Sequence, residues 1–250
     1  MKRRITSLEI RNMNNMDLMF DGCGGLTHID LSGLDTSNVT NMSWMFNGCE
    51  GLTALDVSGF NTNRVTDMCD MFRDCSGLIQ LDIRCFNTSN VTDMCNMFRG
   101  CSSLKQLDMR YMYTGNVTDM GNMFRDCHSL IQLDVNYFDT GNVTNMCNMF
   151  RDCRNLTHMD VSDFNTKNVT NMTGMFSGCS RMLSLKMCSL SSEYIKTDNM
   201  LKGCESLKTI TAPPVLQTVV ELPAVFVDQN GTETKYLSQE FCGAILTRKE

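Results

Sequence analysis

Asn90–Gly115 reads NVTDMCNMFRGCSSLKQLDMRYMYTG, and nearly the same words return before and after it at a fixed interval. The valine of the V-T phrase falls at Val39, Val65, Val91, Val117, Val143 and Val169, each 26 residues from the next. A period of this length predicts a solenoid. One repeat cannot bury its own apolar face, so its neighbours must stack on it.

Inside one turn, Leu52, Leu55 and Val57 are apolar and Asp56 is not, which reads as a short strand with Leu55 and Val57 inward. Ser58 to Asn63 supplies turn residues, and Val65-Thr66-Asp67-Met68 alternates again as a second candidate strand. Met68, Met71, Phe72 and Cys75 then fall at i, i+3, i+4 and i+7, the spacing of one apolar helical face. The expected fold class is therefore an α/β, β-rich solenoid: a right-handed stack of short parallel strands with one short helical turn per repeat. Phenylalanine recurs at the position of Phe72 in Phe20, Phe46, Phe98, Phe124, Phe150 and Phe176. This Met and Phe stripe is expected to be core rather than a cofactor box.

Working outward, residues 1 to 12 read as the tail of a preceding turn, because Ile5 and Leu8 keep the register of Val57 and Phe60. Met13 to Asn38 is a looser first turn, and Val39 to Tyr194 holds six regular ones. The next turn slips by one residue, since Cys179 and Cys204 are 25 apart, and it stops at Pro213-Pro214. Two units are expected: residues 1–212 as the repeat array of about eight turns, and 213–250 as a small β-rich cap or the start of a further module. In the second unit Val219 to Val227 is β-prone, and Asp228-Gln229-Asn230-Gly231 is a turn signal.

The net charge of −6 argues against a nucleic-acid binder, which carries a basic footprint. The opening MKRRITSLEI is basic with no apolar run of signal-peptide length behind it, and no stretch approaches the roughly 20 apolar residues of a membrane span. As written, the chain is expected to carry neither export signal nor anchor, and Met1 to fall inside a repeat.

Eight of the fourteen cysteines (Cys23, Cys49, Cys75, Cys101, Cys127, Cys153, Cys179, Cys204) share one repeat position. Equivalent residues in a stack send their Cβ vectors the same way, which is poor disulfide geometry, so they are expected to be buried and reduced. Metal binding is not expected, because no C-x-x-C occurs and the histidines are scattered. Of these, His28 and His158 are expected at the surface.

The phrase L-x-x-L-D-V-S-x-F-N-T-x-N-V-T-x-M-x-x-M-F-x-x-C is carried by Leu52 to Val57, Asn61-Thr62, Val65 to Met68 and Met71 to Cys75. It resembles the leucine-rich repeats of BspA-like bacterial surface proteins and is similar to the short repeats of mycoplasma lipoproteins. The resemblance covers about residues 5 to 210. It implies a leucine-rich solenoid displayed at the cell surface and used for adhesion or host-protein binding. The chain departs from the pattern in its extra cysteines (Cys69, Cys85, Cys95, Cys147, Cys188, Cys242) and in lacking a signal peptide and a cell-wall anchor. A location at the cell surface or outside the cell follows from the resemblance alone, and a cytoplasmic one stays open.

No catalytic constellation is visible: there is no G-x-S-x-G, no phosphate-binding glycine loop and no H-E-x-x-H. The expectation is a non-enzymatic chain without a cofactor. Asp30, Asp56, Asp82, Asp108, Asp134 and Asp160 form a column. It is read either as cation or basic-ligand contacts or, preferably, as turn residues bonding hydroxyl and backbone groups of the adjacent turn. The N-x-S/T asparagines Asn38, Asn90, Asn116, Asn142 and Asn168 likewise read as turn residues.

Function is sought where neighbouring turns differ. Arg84, Arg110, Tyr111 and Tyr137 are confined to the middle of the array and belong to the types enriched in binding hot spots. With Asp82, Asp108 and Asp134 they make the candidate ligand surface, on the open sheet face, for a protein or glycan partner. The alternative role is a structural spacer that displays another domain. A second column, Arg73, Arg99, Arg125 and Arg151, is expected to pair with Asp74, Asp126 and Asp152 beside it.

Overall fold

The computed structural model describes residues 3–5, 13–192 and 194–250. The expectation for Leu8 lies outside those residues. Parallel bridges run Asn15 to Asn41, Asn41 to Asp67, Asp67 to Asp93, Asp93 to Asp119, Asp119 to Asn145 and Asn145 to Asn171. The 26-residue period of the sequence is thus the register of the stack. The next bridge, Asn171 to Lys196, carries the one-residue slip.

The core is one continuous strip. From Val39 to Cys179 each turn buries the valine, the two methionines, the phenylalanine and the cysteine of the motif, as at Val91, Met94, Met97, Phe98 and Cys101, all 0% exposed. The rings of Phe46, Phe72, Phe98, Phe124, Phe150 and Phe176 stack face to face with centroids 5.5–5.7 Å apart. A second buried column is polar. Thr62 Oγ1 donates to the Asn87 carbonyl (2.9 Å) and accepts the Asn87 N–H (2.7 Å), and Thr36 and Thr140 repeat the exchange. These hydroxyls satisfy backbone groups that no ladder bond reaches.

The expected helical turn is not there. Among the described residues the single helical element is the 3-10 turn Gln239–Phe241. Met68, Asp70, Phe72 and Asp74 donate their N–H groups to Asp93, Cys95, Met97 and Arg99 of the next turn, at 2.7–3.1 Å. Between them Met71, Arg73 and Cys75 bond back three residues, closing tight turns. The turns closed at Met71 and Cys75 each hold a left-handed residue at their third position, with φ of +57° at Asp70 and +53° at Asp74. The spacing i, i+3, i+4, i+7 is therefore met by consecutive turns whose alternate amides point along the stack. A helix would have turned them back on itself.

The left-handed positions explain a column the apolar pattern hides. Leu18, Trp44, Asp70, Asn96, Asn122, Asn148, Gly174 and Asn199 all have positive φ, and Asn, Asp and Gly accept this conformation at least cost. Asn122→Val should lower stability by about 1–3 kcal/mol, because a β-branched side chain is strained there. Urea denaturation reads this, and a loss below measurement error would show that the turn relaxes without strain.

The expected strand of each turn is only partly formed. The alternation holds, with Leu55 and Val57 buried and Asp56 exposed. Ladders, however, form near the two ends. β1 (Arg3–Ile5) pairs with β2 (Leu26–Ile29), and β3 (His158–Asp160), β4 (Ser184–Lys186) and β5 (Thr209–Thr211) pair in parallel. In the central turns this arc is held by single bonds such as Ile79 N–H to the Thr53 carbonyl, while the bonded rungs lie on the arc of Thr66 to Cys75. After the last turn, β6 (Val220–Val227), β7 (Glu233–Leu237) and β8 (Ile245–Arg248) run antiparallel, with β8 laid along β5. The result is a sheet-rich fold nearly free of helix.

Candidate functional site

The sheet-side arc of the central turns lines an open groove of about 760 Å³. Its walls carry Gln80, Gln106, Asp56, Asp82, Asp108, Arg84 and Arg110. The alternation puts these residues outward, since each stands one position from a buried apolar residue: Leu55, Leu81, Ile83, Leu107 or Met109.

Within each turn the carboxylate and guanidinium are locked together. Arg84 Nε and Nη2 donate to Asp82 Oδ1 (2.9 Å) and Oδ2 (2.6 Å), and Arg110 grips Asp108 in the same way at 2.9 and 2.8 Å. Asp82 also accepts the Arg84 N–H, and Asp108 the Arg110 N–H. The arginine side-chain bond and then this amide bond pull both carboxyls down to about 2. They stay ionised throughout the neutral range. The two pairs form fixed, neutral dipoles on the surface rather than free charges.

Beside them stand aromatic side chains in water. Tyr111 is 58% exposed and Tyr137 57%, and the Arg110 guanidinium lies 5.9 Å from the Tyr111 ring centre. Large exposed apolar residues on a monomer mark interaction surfaces when they cluster. Sequence comparison of the turns singled out Arg84, Arg110, Tyr111 and Tyr137, and the structure sets the two arginines on the groove. It passed over Gln80 and Gln106, although their repeat position reads His28, Ala54, Gln80, Gln106, Gln132 and His158, so glutamine there is itself confined to the central turns.

The aspartate column is bonded in a different way from the one expected. Asp56, Asp82, Asp108, Asp134 and Asp160 each accept the N–H two residues on within their own turn, where a bond to the adjacent turn was anticipated. Asp160 alone of these five also takes a cross-turn contact, from Lys186 Nζ at 2.8 Å. Asp134 has no arginine two residues on, so its turn presents a carboxylate without the guanidinium clamp. The asparagines Asn90, Asn116, Asn142 and Asn168 do cross between turns, donating Nδ2 to carbonyls 27 residues earlier.

On another arc, Arg73 pairs with Asp70 and Asp74, Arg125 with Asp126 and Arg151 with Asp152. Arg99 makes no ion pair among the described residues, because Gly100 and Asn96 replace the two aspartates that serve Arg73. His28 and His158 are exposed, and His128 Nδ1 lies 2.8 Å from the Asp152 carbonyl.

All fourteen cysteines are free thiols. From Cys49 to Cys204, each thiol of the shared column donates to the carbonyl of the phenylalanine one turn back, at 3.0–3.3 Å. Burial pushes Cys49, Cys101 and Cys204 up to about 12, so these sulfurs act as small core hydrophobes that also fill a backbone acceptor. No group of three or more metal-ligating side chains converges among the described residues. Nor is any helix there long and apolar enough to cross a membrane.

Register, core and groove together define a stacked repeat protein whose chemistry faces outward from an open surface. The chain belongs to the family described as "Mycoplasma protein of unknown function, DUF285", which it matches over residues 1–110 and 107–212. Among solved structures it is similar to a leucine rich cell surface protein from Faecalibacterium prausnitzii A2-165, at 16% identity and a TM-score of 0.36, covering 78% of this chain and 68% of that one. It is also similar to a leucine-rich repeat protein from Bacteroides ovatus ATCC 8483, at 16% identity and a TM-score of 0.35, covering 77% and 68%. No curated protein matches it.

Proposed function

We propose that this chain is the solenoid of a surface-type repeat protein and works without catalysis, binding a protein or glycan through the exposed arc of its central turns. The contact surface is Arg84, Arg110, Tyr111 and Tyr137, with Asp82, Asp108 and Asp134 as its polar frame. Residues 1–212 form the binding array, and 213–250 cap its last strand.

The observation that carries this reading is the pairing of rigid charge with exposed rings. Arginines already clamped by Asp82 and Asp108 lose little side-chain freedom on binding, and Tyr111 and Tyr137 bring large area with few rotatable bonds. Such pre-organised aromatic and arginine anchors are where interface energy concentrates.

Probing a glycan and serum-protein array with the purified chain identifies the ligand. Arg110→Ala with Tyr137→Ala should then weaken its binding about 10-fold or more. Both residues are surface-exposed, so the thermal midpoint should stay within error. Unchanged binding by the double variant overturns the patch assignment. An array with no ligand at all favours the spacer role.

A further inference from the structure

The cysteines outside the buried column include one pair of neighbours. The repeat position that holds Asp17, Ser43, Cys69, Cys95, Gly121, Cys147 and Thr173 places cysteines in successive turns once, at Cys69 and Cys95. Bonded rungs flank them. Trp44 N–H donates to the Cys69 carbonyl and Asp70 N–H to the Cys95 carbonyl, both at 2.9 Å, and Asp67 bridges Asp93 in register. Each cysteine amide is pinned identically, to Asp67 Oδ1 and Asp93 Oδ1. Neighbouring rungs stand about 5 Å apart, inside the Cα separation of about 4.4–6.8 Å that a disulfide spans.

Two features separate this pair from the seven sealed thiols between Cys49 and Cys204. Cys69 and Cys95 are half-buried and reachable from solvent, whereas Cys75 and Cys101 beside them are sealed in the core. The core thiols each donate to a phenylalanine carbonyl, while Cys69 and Cys95 make no such bond and lie on adjacent rungs. The two also differ in their partners. Asn96 Nδ2 donates to Cys95 Sγ at 3.2 Å, while Cys69 donates to Asp70 Oδ2 at 2.9 Å, a contact that holds the proton on Cys69. The neighbouring Cys95, then burial and Asp70, push the Cys69 thiol far up.

We propose that Cys69 and Cys95 are a reversible disulfide site, closed by exchange with a low-molecular-weight disulfide, that clamps two central turns of the stack. The Cys95 thiolate attacks one sulfur of the small disulfide, forming a mixed disulfide and releasing the first small thiolate. Cys69 Sγ then attacks Cys95 Sγ, and the second small thiolate leaves with the Cys69 proton. Two protein thiols are oxidised, and one small disulfide is reduced to two thiols. Because the two Cβ atoms point the same way, closing the bond requires both side chains to turn along the stack, for which these half-buried thiols have room and the sealed thiols of the core column do not. Cys147 has the same asparagine contact, from Asn148, but Gly121 and Thr173 stand on either side of it, so it has no partner thiol in its column.

The full chain treated with oxidised glutathione, alkylated and digested with trypsin should yield residues 65–73 joined to residues 85–99. The link should survive in Cys85→Ser, which removes the exposed cysteine of the second peptide. Cys69→Ser, a residue this column already tolerates at Ser43, should instead hold glutathione on Cys95. The linked protein should melt about 5–10 °C higher, and dithiothreitol should reverse the rise. Glutathione left on Cys95 of the unsubstituted chain with Cys69 free, or modification confined to Cys85, overturns the proposal. A linked chain that melts no higher overturns the clamp.

Discussion

Phe98→Ala should cost about 3–5 kcal/mol, the range for emptying a fully buried aromatic site. Phe98 is 0% exposed and stacks on Phe72 and on Phe124, each at 5.7 Å with rings tilted by 8°. Each lost ring pair removes about 0.5–1.5 kcal/mol beyond the area term, which places the variant at the upper end. The consequence is specific to a stack. A turn touches only its two neighbours, so a void at the middle of the phenylalanine column uncouples the turns on either side. Urea unfolding should show a lower midpoint and a shallower transition as the halves melt separately. Tyr111→Ala, on the exposed arc, should leave both unchanged. A loss under about 1 kcal/mol for Phe98→Ala would mean that neighbouring methionines collapse into the space.

Thr62→Val should cost about 2–3 kcal/mol although it preserves shape and apolar packing. Thr62 is 1% exposed, and its hydroxyl both donates to and accepts from the backbone of Asn87 in the next turn. Valine leaves an N–H and a carbonyl without partners at the rim of the core, and orphaned backbone groups cost more than a bond contributes. Thr62→Ser keeps the hydroxyl and loses one methyl, so it should retain most of the stability. Equal losses for serine and valine would assign the role of the column to packing. Chemical denaturation of the three proteins decides between the two.

These variants test parts of the molecule that were legible to different degrees. The interval between Val65, Val91 and Val117 set the stacking register, because only one offset brings identical apolar residues over one another. The bridges from Asp67 to Asp93 and Asp119 keep that interval. Burial of Met97, Phe98 and Cys101 followed from the same repetition. The helical turn did not follow, because i, i+3, i+4 and i+7 describes where side chains point and not where amides go. The left-handed column of Asn96, Asn122 and Asn148 was the available signal, and its residue types were the clue.

The candidate surface divides in the same way. Departure from the repeat marked Arg84, Arg110, Tyr111 and Tyr137, and the exposure of the tyrosines agrees with an outward position. That the arginines are spent on Asp82 and Asp108 within their own turns was not visible in sequence, since an i, i+2 pair meets only when the backbone bends between them. That Arg99, beside Gly100, makes no ion pair among the described residues also needed coordinates.

The sequence by itself determined a stack of 26-residue turns, its core columns and its variable surface, because a period is a one-dimensional property that repeated burial must obey. The tertiary structure alone decided how each turn closes, which arc carries the rungs, and which thiols stay half-buried. Those depend on backbone amides choosing between their own turn and the next, and both choices leave the apolar pattern unchanged.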